Sequence, residues 1–69
     1  MEVFAKRLKE LREELGLSQH DLARELGNQI SYSAVCLWEQ GKRVPKLDAL
    51  LLLANYFKVS IDYLAGRED

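Results

Sequence analysis

The sequence predicts an all-α fold, a compact bundle of five short helices. Three observations support this prediction. Apolar residues recur at spacings of three and four, which place them on one face of a helix. No segment alternates apolar and polar residues for long enough to indicate a strand. The four glycines each follow a helical segment, where a left-handed C-terminal cap falls. The 69 residues leave room for one domain, which we expect to span residues 1–69.

The first helix is predicted from about Glu2 to Leu15. Its apolar face is formed by Phe4, Leu8, Leu11 and Leu15, at spacings of four, three and four. The remaining surface of this segment is rich in lysine, arginine and glutamate. The helix is therefore amphipathic and buries one side against the rest of the bundle.

Three serines mark the starts of three further helices. Ser18, Ser31 and Ser60 each follow an apolar residue, and each has another apolar residue four positions later. A serine N-cap accepts a hydrogen bond from the helix, and the two apolar residues form a hydrophobic staple. Asp21 is placed to complete a capping box with Ser18. The predicted helices run from about Gln19 to Leu26, Tyr32 to Gln40 and Ile61 to Ala65.

Helix four is predicted from about Leu47 to Phe57. We expect its core stripe to consist of Leu47, Leu50, Leu51, Ala54 and Phe57. Leu52 and Leu53 make the helix apolar over a wide arc, which leaves part of it available to a partner.

Charge and cysteine content argue against several classes of protein. The net charge of −1 does not favour attraction to an anionic membrane, and it does not by itself indicate a nucleic-acid binder. No apolar run is long enough to cross a membrane, and the N-terminus does not resemble a secretory signal. Because Cys36 is the single cysteine, no internal disulfide and no multi-cysteine zinc site is expected. A reducing, cytoplasmic setting is the simple interpretation.

Catalysis has almost no support in the sequence. One histidine, one cysteine and scattered carboxylates provide no nucleophile and base at a meaningful spacing. The widely separated glycines do not form a phosphate-binding loop. We therefore expect a protein that is not an enzyme and that holds no cofactor or metal ion.

The middle of the chain carries the most informative pattern. Ala23 is small enough for helix two to approach helix three, and Gly27 permits a sharp turn between them. Val35 and Trp38, three residues apart, are predicted to fix the inner face of helix three in the core. Its outer face is left free and carries Tyr32, Ser33, Cys36 and Leu37.

With these residues the chain resembles the Cro and phage-repressor class of helix-turn-helix proteins, the xenobiotic-response-element family. The resemblance covers nearly the whole chain and rests on an ordered set of short motifs. They are Arg-Leu-Lys-Glu-Leu-Arg (7–12), Gly-Leu-Ser-Gln-His-Asp-Leu-Ala (16–23), Leu-Gly (26–27), Val35, Trp-Glu-Gln-Gly-Lys-Arg (38–43), Pro45, Leu-Leu-Ala (52–54) and Val-Ser-Ile-Asp-Tyr-Leu (59–64). The resemblance implies a lambda-repressor-like fold with helices two and three as the motif. It also implies a homodimeric transcriptional repressor that binds an operator in double-stranded DNA, with helix three in the major groove.

The resemblance also assigns roles to individual residues by matched position. Those expected to face base edges are Tyr32, Ser33, Cys36 and Leu37. Those expected to contact phosphates are Ser18, Gln19, Gln40, Lys42 and Arg43. Arg12 and Glu39 match a pair that forms a buried salt bridge in several relatives. The implied dimer surface comprises Phe57, Val59, Ile61 and Tyr63.

Two features depart from the family pattern. The spacing from Gly27 to Trp38 is two residues longer than usual, with Asn28 and Gln29 as the expected insertion. The insertion could bulge from the turn, extend helix two or tilt helix three. The outer face of helix three also lacks the Arg, Lys, Asn and Gln side chains that make bidentate contacts with bases, so we expect modest direct readout.

Several alternative interpretations of single residues, and of the function, stay open. His20 is expected to be a solvated helix residue, with contact to phosphate as the alternative. Tyr56 and Tyr63 fit core edges and dimer contacts equally well. Two other functions suit the same fold: an antitoxin-type module that binds a small partner protein, and a helical module that has lost DNA binding.

Overall fold

The structure, a computed structural model, describes residues 2–27 and 29–68. This part of the chain forms five α-helices and contains no strand, so the predicted all-α class is confirmed. The helices are α1 (Glu2–Glu14), α2 (Gln19–Glu25), α3 (Tyr32–Glu39), α4 (Leu47–Phe57) and α5 (Ile61–Ala65). Every predicted helix is present, with its ends at or within one residue of the expected positions.

The serine caps form as predicted. The Ser18 hydroxyl accepts a hydrogen bond from the Asp21 backbone N–H (2.9 Å), and the Asp21 carboxylate accepts one from the Ser18 N–H (3.0 Å). Ser31 and Ser60 accept hydrogen bonds from the backbone N–H three residues later, at 3.1 and 2.9 Å. Each cap satisfies an amide that has no partner within its helix and fixes where that helix begins.

The core lies where α1, α3 and α5 meet, with α2 packed on α3 and α4 packed on α5. Its largest fully buried side chains are Phe4, Leu8, Leu22, Val35, Leu53 and Leu64. The Phe4 and Trp38 rings meet edge to face, with centroids 6.2 Å apart. Trp38 is therefore a core residue, as predicted, and it links α3 to α1.

The predicted apolar stripe of α4 is wrong in part. Leu47 and Leu51 are exposed, whereas Leu53 is fully buried. The face turned to the core contains Leu50, Leu53, Ala54 and Phe57, which are also spaced by three, one and three residues. Because residues 50–53 are all leucine, the spacing of apolar residues does not distinguish the two faces.

The predicted apolar face of α1 also changes towards its end. Leu15 lies beyond the last residue of α1 and is 57% exposed, which corrects its assignment to the core. Arg12 is buried on this side of the helix, one turn after Leu8. The buried side of α1 is therefore apolar near its start and ends with the charged side chain of Arg12.

The C-terminal segment is attached to α1. Arg7 donates hydrogen bonds to the carbonyl oxygens of Tyr63 and Glu68, and its guanidinium lies 4.2 Å from the centre of the Tyr63 ring. Gly66 ends α5 with a φ of 83°, and a Cβ at this position would lie 2.9 Å from the Cβ of Val3. Glycine is thus required at this position for both its backbone angle and its closeness to α1.

Candidate nucleic-acid interface

The turn between α2 and α3 contains the expected insertion. α2 ends at Glu25, so it is not extended, and the Gln29 N–H donates to the Leu26 carbonyl oxygen (3.3 Å). Ile30 is only 5% exposed and belongs to the core. The longer turn is therefore anchored to the core just before α3 begins. Asn28, the other residue of the expected insertion, lies outside the described residues.

α3 has a buried side and an open side. Val35 and Trp38 point into the core, as predicted. On the other side, Tyr32 (40% exposed) and Ser33 are exposed, and Cys36 and Leu37 are half-buried. The four residues expected to face bases are therefore accessible to different degrees, most at the start of the helix.

A buried ion pair holds the end of α3 against α1. The guanidinium of Arg12 donates two hydrogen bonds to the Glu39 carboxylate, at 2.7 and 2.9 Å, and a third to the Leu17 carbonyl oxygen at 2.7 Å. The two side chains are 10% and 4% exposed. The hydrogen bond from Arg12 to Glu39 raises the pKa of Arg12, so the guanidinium keeps its charge. Arg12 and Glu39 are thus an ion pair and not two independent surface charges.

Gln19 extends this contact to α2. Its side-chain N–H donates to the Glu39 carboxylate (3.1 Å), and its side-chain oxygen accepts from the Cys36 thiol (3.2 Å). The amide of Gln19 is thereby used inside the protein. The sequence pattern did not predict these contacts, because they depend on how closely α2 and α3 approach.

A basic loop follows α3. Residues 42–46, here called the basic loop, contain three basic side chains and no acidic one. Lys42 and Arg43 are exposed, as is Gln40 at the end of α3. The Lys42 N–H donates to the Leu37 carbonyl oxygen (2.9 Å), and Pro45 is buried. The loop is thus held at both ends while its charges remain in solvent.

The N-terminal ends of α2 and α3 meet through two aromatic rings. His20 and Tyr32 stack face to face, with centroids 3.6 Å apart and ring planes 6° from parallel. Ser18, the exposed N-cap of α2, precedes His20 by two residues. The stack was not predicted from the sequence, and nothing in the spacing of the two residues indicates it.

The residues expected to form a dimer surface lie at the junction of α4 and α5. Phe57, Val59, Ile61 and Tyr63 are all half-buried, and three of them pack on the core. Tyr56 is a core-edge residue, whose ring meets Phe57 edge to face and whose hydroxyl is bonded to Glu25 (3.1 Å). The larger exposed apolar side chains lie elsewhere. Three of them, Val44, Leu47 and Leu51, lie in the loop before α4 and on α4 and are here called the exposed stripe; they are 59%, 66% and 46% exposed.

Two further features of the described residues concern metal binding and membranes. Within residues 2–27 and 29–68 no three His, Cys, Asp or Glu side chains come together in a way that could hold a metal ion. Among the helices described here, none has the length and apolar character needed to cross a membrane.

Comparison with known proteins gives consistent matches. A family model described as helix-turn-helix matches residues 8–64. The chain is 39% identical over 66 residues to the HTH-type transcriptional regulator ImmR of Bacillus subtilis, covering 96% of this chain and 50% of that protein. It is 35% identical over 66 residues to the HTH-type transcriptional activator BcrR of Enterococcus faecalis, covering 96% of this chain and 31% of that protein. The chain thus spans half or less of the length of these two relatives.

Proposed function

The chain belongs to the helix-turn-helix family, and from this premise we propose that it is a sequence-specific regulator of transcription. In this proposal it binds an operator in double-stranded DNA as a homodimer, with α3 in the major groove. One observation carries the proposal: the inner side of α3 is fixed by the core and by the Arg12–Glu39 pair, while its outer side is open beside the basic loop. A helix held in this way presents its exposed side chains at a constant angle to a partner.

The basic loop supports contact with the DNA backbone. Lys42 and Arg43 are exposed on a loop anchored by the buried Pro45, and phosphate contacts of this kind dominate the affinity for DNA. If each of these two side chains neutralises one phosphate per protomer, replacing both by alanine removes four contacts from a dimer. The slope of log affinity against log salt then shrinks by about 3.6.

A matched control is available on α1. Lys6 and Lys9 are exposed on α1, and their replacement by alanine removes the same charge. We expect this variant to keep the wild-type slope, measured by fluorescence anisotropy at several salt concentrations. An equal loss of slope in both variants, or none in Lys42→Ala/Arg43→Ala, would contradict the assignment.

The other predicted phosphate contacts lie near the two ends of the motif. Gln40 is exposed at the end of α3, and Ser18 is exposed at the start of α2. The side-chain amide of Gln19 is bonded to Glu39 and Cys36, so in this proposal Gln19 reaches phosphate through its main-chain N–H. These neutral contacts position the protein and carry no sequence information.

Base recognition is assigned to the outer side of α3. Tyr32 and Ser33 supply single hydrogen bonds, Leu37 suits a thymine methyl, and Cys36 lies between them on the same face. We expect Tyr32→Ala and Leu37→Ala to change which sequences are enriched from a random duplex pool. A uniform loss of affinity for all duplexes would instead mean that these residues do not read bases.

We further propose that dimerisation uses Phe57, Val59, Ile61 and Tyr63. Their half-buried side chains leave an apolar edge at the α4–α5 junction. Ile61→Asp should then shift sedimentation equilibrium towards the monomer and weaken operator binding. Leu51→Asp, on the exposed stripe, is the matched comparison. If only Leu51→Asp dissociates the dimer, the interface lies on α4.

Repression is the proposed direction of regulation, because the chain resembles the phage-repressor class. One relative is named as an activator. Transcription in vitro from a promoter that carries the selected binding site tests whether the protein represses or activates. Reduced transcript on adding the protein supports repression, and increased transcript contradicts it.

The exposed stripe favours a second candidate function, an antitoxin-type module that binds a small partner protein. Leu47 and Leu51 are one helical turn apart on α4 and are both exposed, and adjacent exposed apolar side chains are a feature of protein-interaction surfaces. Such binding should be lost in Leu47→Asp/Leu51→Asp while binding of the free protein to DNA is kept.

A further inference from the structure

The stacked pair of His20 and Tyr32 joins the two helices of the motif at their exposed ends. His20 is the second residue of α2, and Tyr32 is the first residue of α3. Their rings are nearly parallel, 6° apart in orientation, with centroids separated by 3.6 Å. Both residues are exposed, so the contact is not a consequence of burial in the core.

The stack restricts a side chain that otherwise has freedom to rotate. A tyrosine in the first turn of a helix with no neighbour on its ring samples several rotamers. A second ring against its face selects one of them, and with it the position of the phenol oxygen. A phenol carries its proton at neutral pH, so the Tyr32 hydroxyl is both a donor and an acceptor, and hydrogen bonding to the side chain of Cys36, one turn further along α3, raises its pKa further.

Position decides whether a single hydrogen bond discriminates between bases. The outer side of α3 has no side chain that makes a bidentate contact with a base, so its readout depends on single bonds such as that of the phenol. A single bond discriminates only when its donor or acceptor is held in place. We propose that His20 is a positioning residue, which fixes the Tyr32 phenol for base recognition and so lets α2 influence the sequence preference of α3. This inference rests on the proposed DNA-binding function.

Geometry around the pair favours this role over direct contact of His20 with phosphate. One face of the imidazole is covered by the phenol ring. A shallow groove lies beside the pair, lined by His20, Ala23, Arg24, Ile30, Ser31 and Tyr32. The base-reading side of Tyr32 and the ring of His20 thus belong to one surface, separate from the basic loop.

The test compares three substitutions at position 20. His20→Ala removes the ring, His20→Phe keeps a flat ring without nitrogen atoms, and His20→Gln keeps polar atoms without a ring. For each protein, affinity is measured for the duplex enriched by the wild type and for duplexes changed at the base pair whose recognition Tyr32→Ala abolishes. The ratio of the two affinities is the readout, and thermal unfolding is measured alongside.

The proposal makes a distinct expectation for each variant. His20→Ala and His20→Gln reduce the ratio by about threefold to tenfold, the range of a stacked aromatic pair, and His20→Phe restores it. In a Tyr32→Ala background, His20→Ala has no further effect, because its influence passes through the phenol. The salt slope stays unchanged, and the midpoint of unfolding falls by no more than the few degrees that loss of one stacked pair accounts for.

Other results separate the alternatives. Retained ratios in all three variants, with His20→Ala and His20→Phe weakening binding to every duplex alike and His20→Gln keeping it, would overturn the proposal in favour of direct phosphate contact. An effect of His20→Ala that persists without Tyr32 would overturn it as well. If the wild type enriches no duplex, the proposed function itself fails and this inference with it. If it does, and His20→Ala leaves the ratio unchanged, only this inference fails.

Discussion

The two ends of α3 differ sharply in how they are held. At the C-terminal end, the Glu39 side chain is 4% exposed and is bonded to Arg12 and Gln19. At the N-terminal end, Tyr32 is 40% exposed and is restrained by the Ser31 cap and by one exposed ring. The comparison indicates that the two ends of α3, a helix of eight residues, have different roles. The C-terminal end fixes the position of the helix. At the N-terminal end, the exposed side chains can be replaced with little change in the free energy of unfolding.

The largest expected effect tests the held end. Glu39→Ala leaves the buried guanidinium of Arg12 without its partner and removes an acceptor from Gln19. Breaking one side of a buried pair costs about 3–5 kcal/mol of unfolding free energy. Urea denaturation followed by circular dichroism measures the loss.

An exposed ion pair provides the control for this prediction. Arg24 and Asp21 form a pair in which the side chains are 72% and 38% exposed. Arg24→Ala should cost less than about 1 kcal/mol, because solvent screens such pairs. Losses of similar size in Glu39→Ala and Arg24→Ala would show that the end of α3 is not held by its buried pair.

The second prediction concerns the turn that leads into α3. Ile30 is 5% exposed, so Ile30→Ala leaves a cavity beneath the turn and should cost about 2–4 kcal/mol. Gln29→Ala, at the exposed neighbouring position, should change stability by less than about 0.5 kcal/mol. Both are measured by the same denaturation experiment. If Ile30→Ala is as mild as its control, the longer turn is not anchored to the core.

A smaller effect is expected at the open end itself. The Ser31 hydroxyl caps α3 through the Ala34 N–H (3.1 Å), so Ser31→Ala should cost about 1 kcal/mol. Ser33→Ala, on the exposed side of the first turn, should be nearly neutral. Equal values for the two serines would mean that the cap does not contribute.

The smallest effect is a pH dependence at the start of α2. The Ser18 backbone N–H, and then its hydroxyl, hold the pKa of Asp21 below its ordinary value of 3.8. Because the folded value is the lower one, the carboxylate stabilises the fold above the unfolded pKa and loses this contribution as pH falls through the folded value. The difference in unfolding free energy between wild type and Asp21→Asn should therefore be present at pH 7 and shrink in acid. A difference that is constant with pH would contradict this linkage.

Local signals account for how well the helices were predicted. A serine cap or a glycine acts within a few residues, so the sequence contains the information that places most helix ends. The C-terminal end of α4 has no such signal. Lys58 adopts the left-handed conformation there, with a φ of 58°, at a position where glycine is usual. The buried side of α4 was also mispredicted, since four consecutive leucines hide the helical period.

The candidate interface could be predicted in outline but not in its contacts. Spacing from Val35 and Trp38 indicated which side of α3 is open, and the run of basic residues indicated the loop. The bonds of Gln19 and the stack on Tyr32 depend on the distance and angle between α2 and α3. Those quantities arise from packing of the whole core, so no local pattern specifies them.

The close packing of Gly66 against Val3, together with the hydrogen bond from Arg7 to Glu68, affects how the domain unfolds locally. Helix ends ordinarily fray one by one, each at its own low free energy. Here α1 cannot loosen without releasing α5, and α5 cannot loosen without exposing α1. The first and last helices of the described chain are therefore coupled to each other by non-covalent contacts. Amide hydrogen exchange should report it as a single cooperative unit that protects the first and last helices to the same degree.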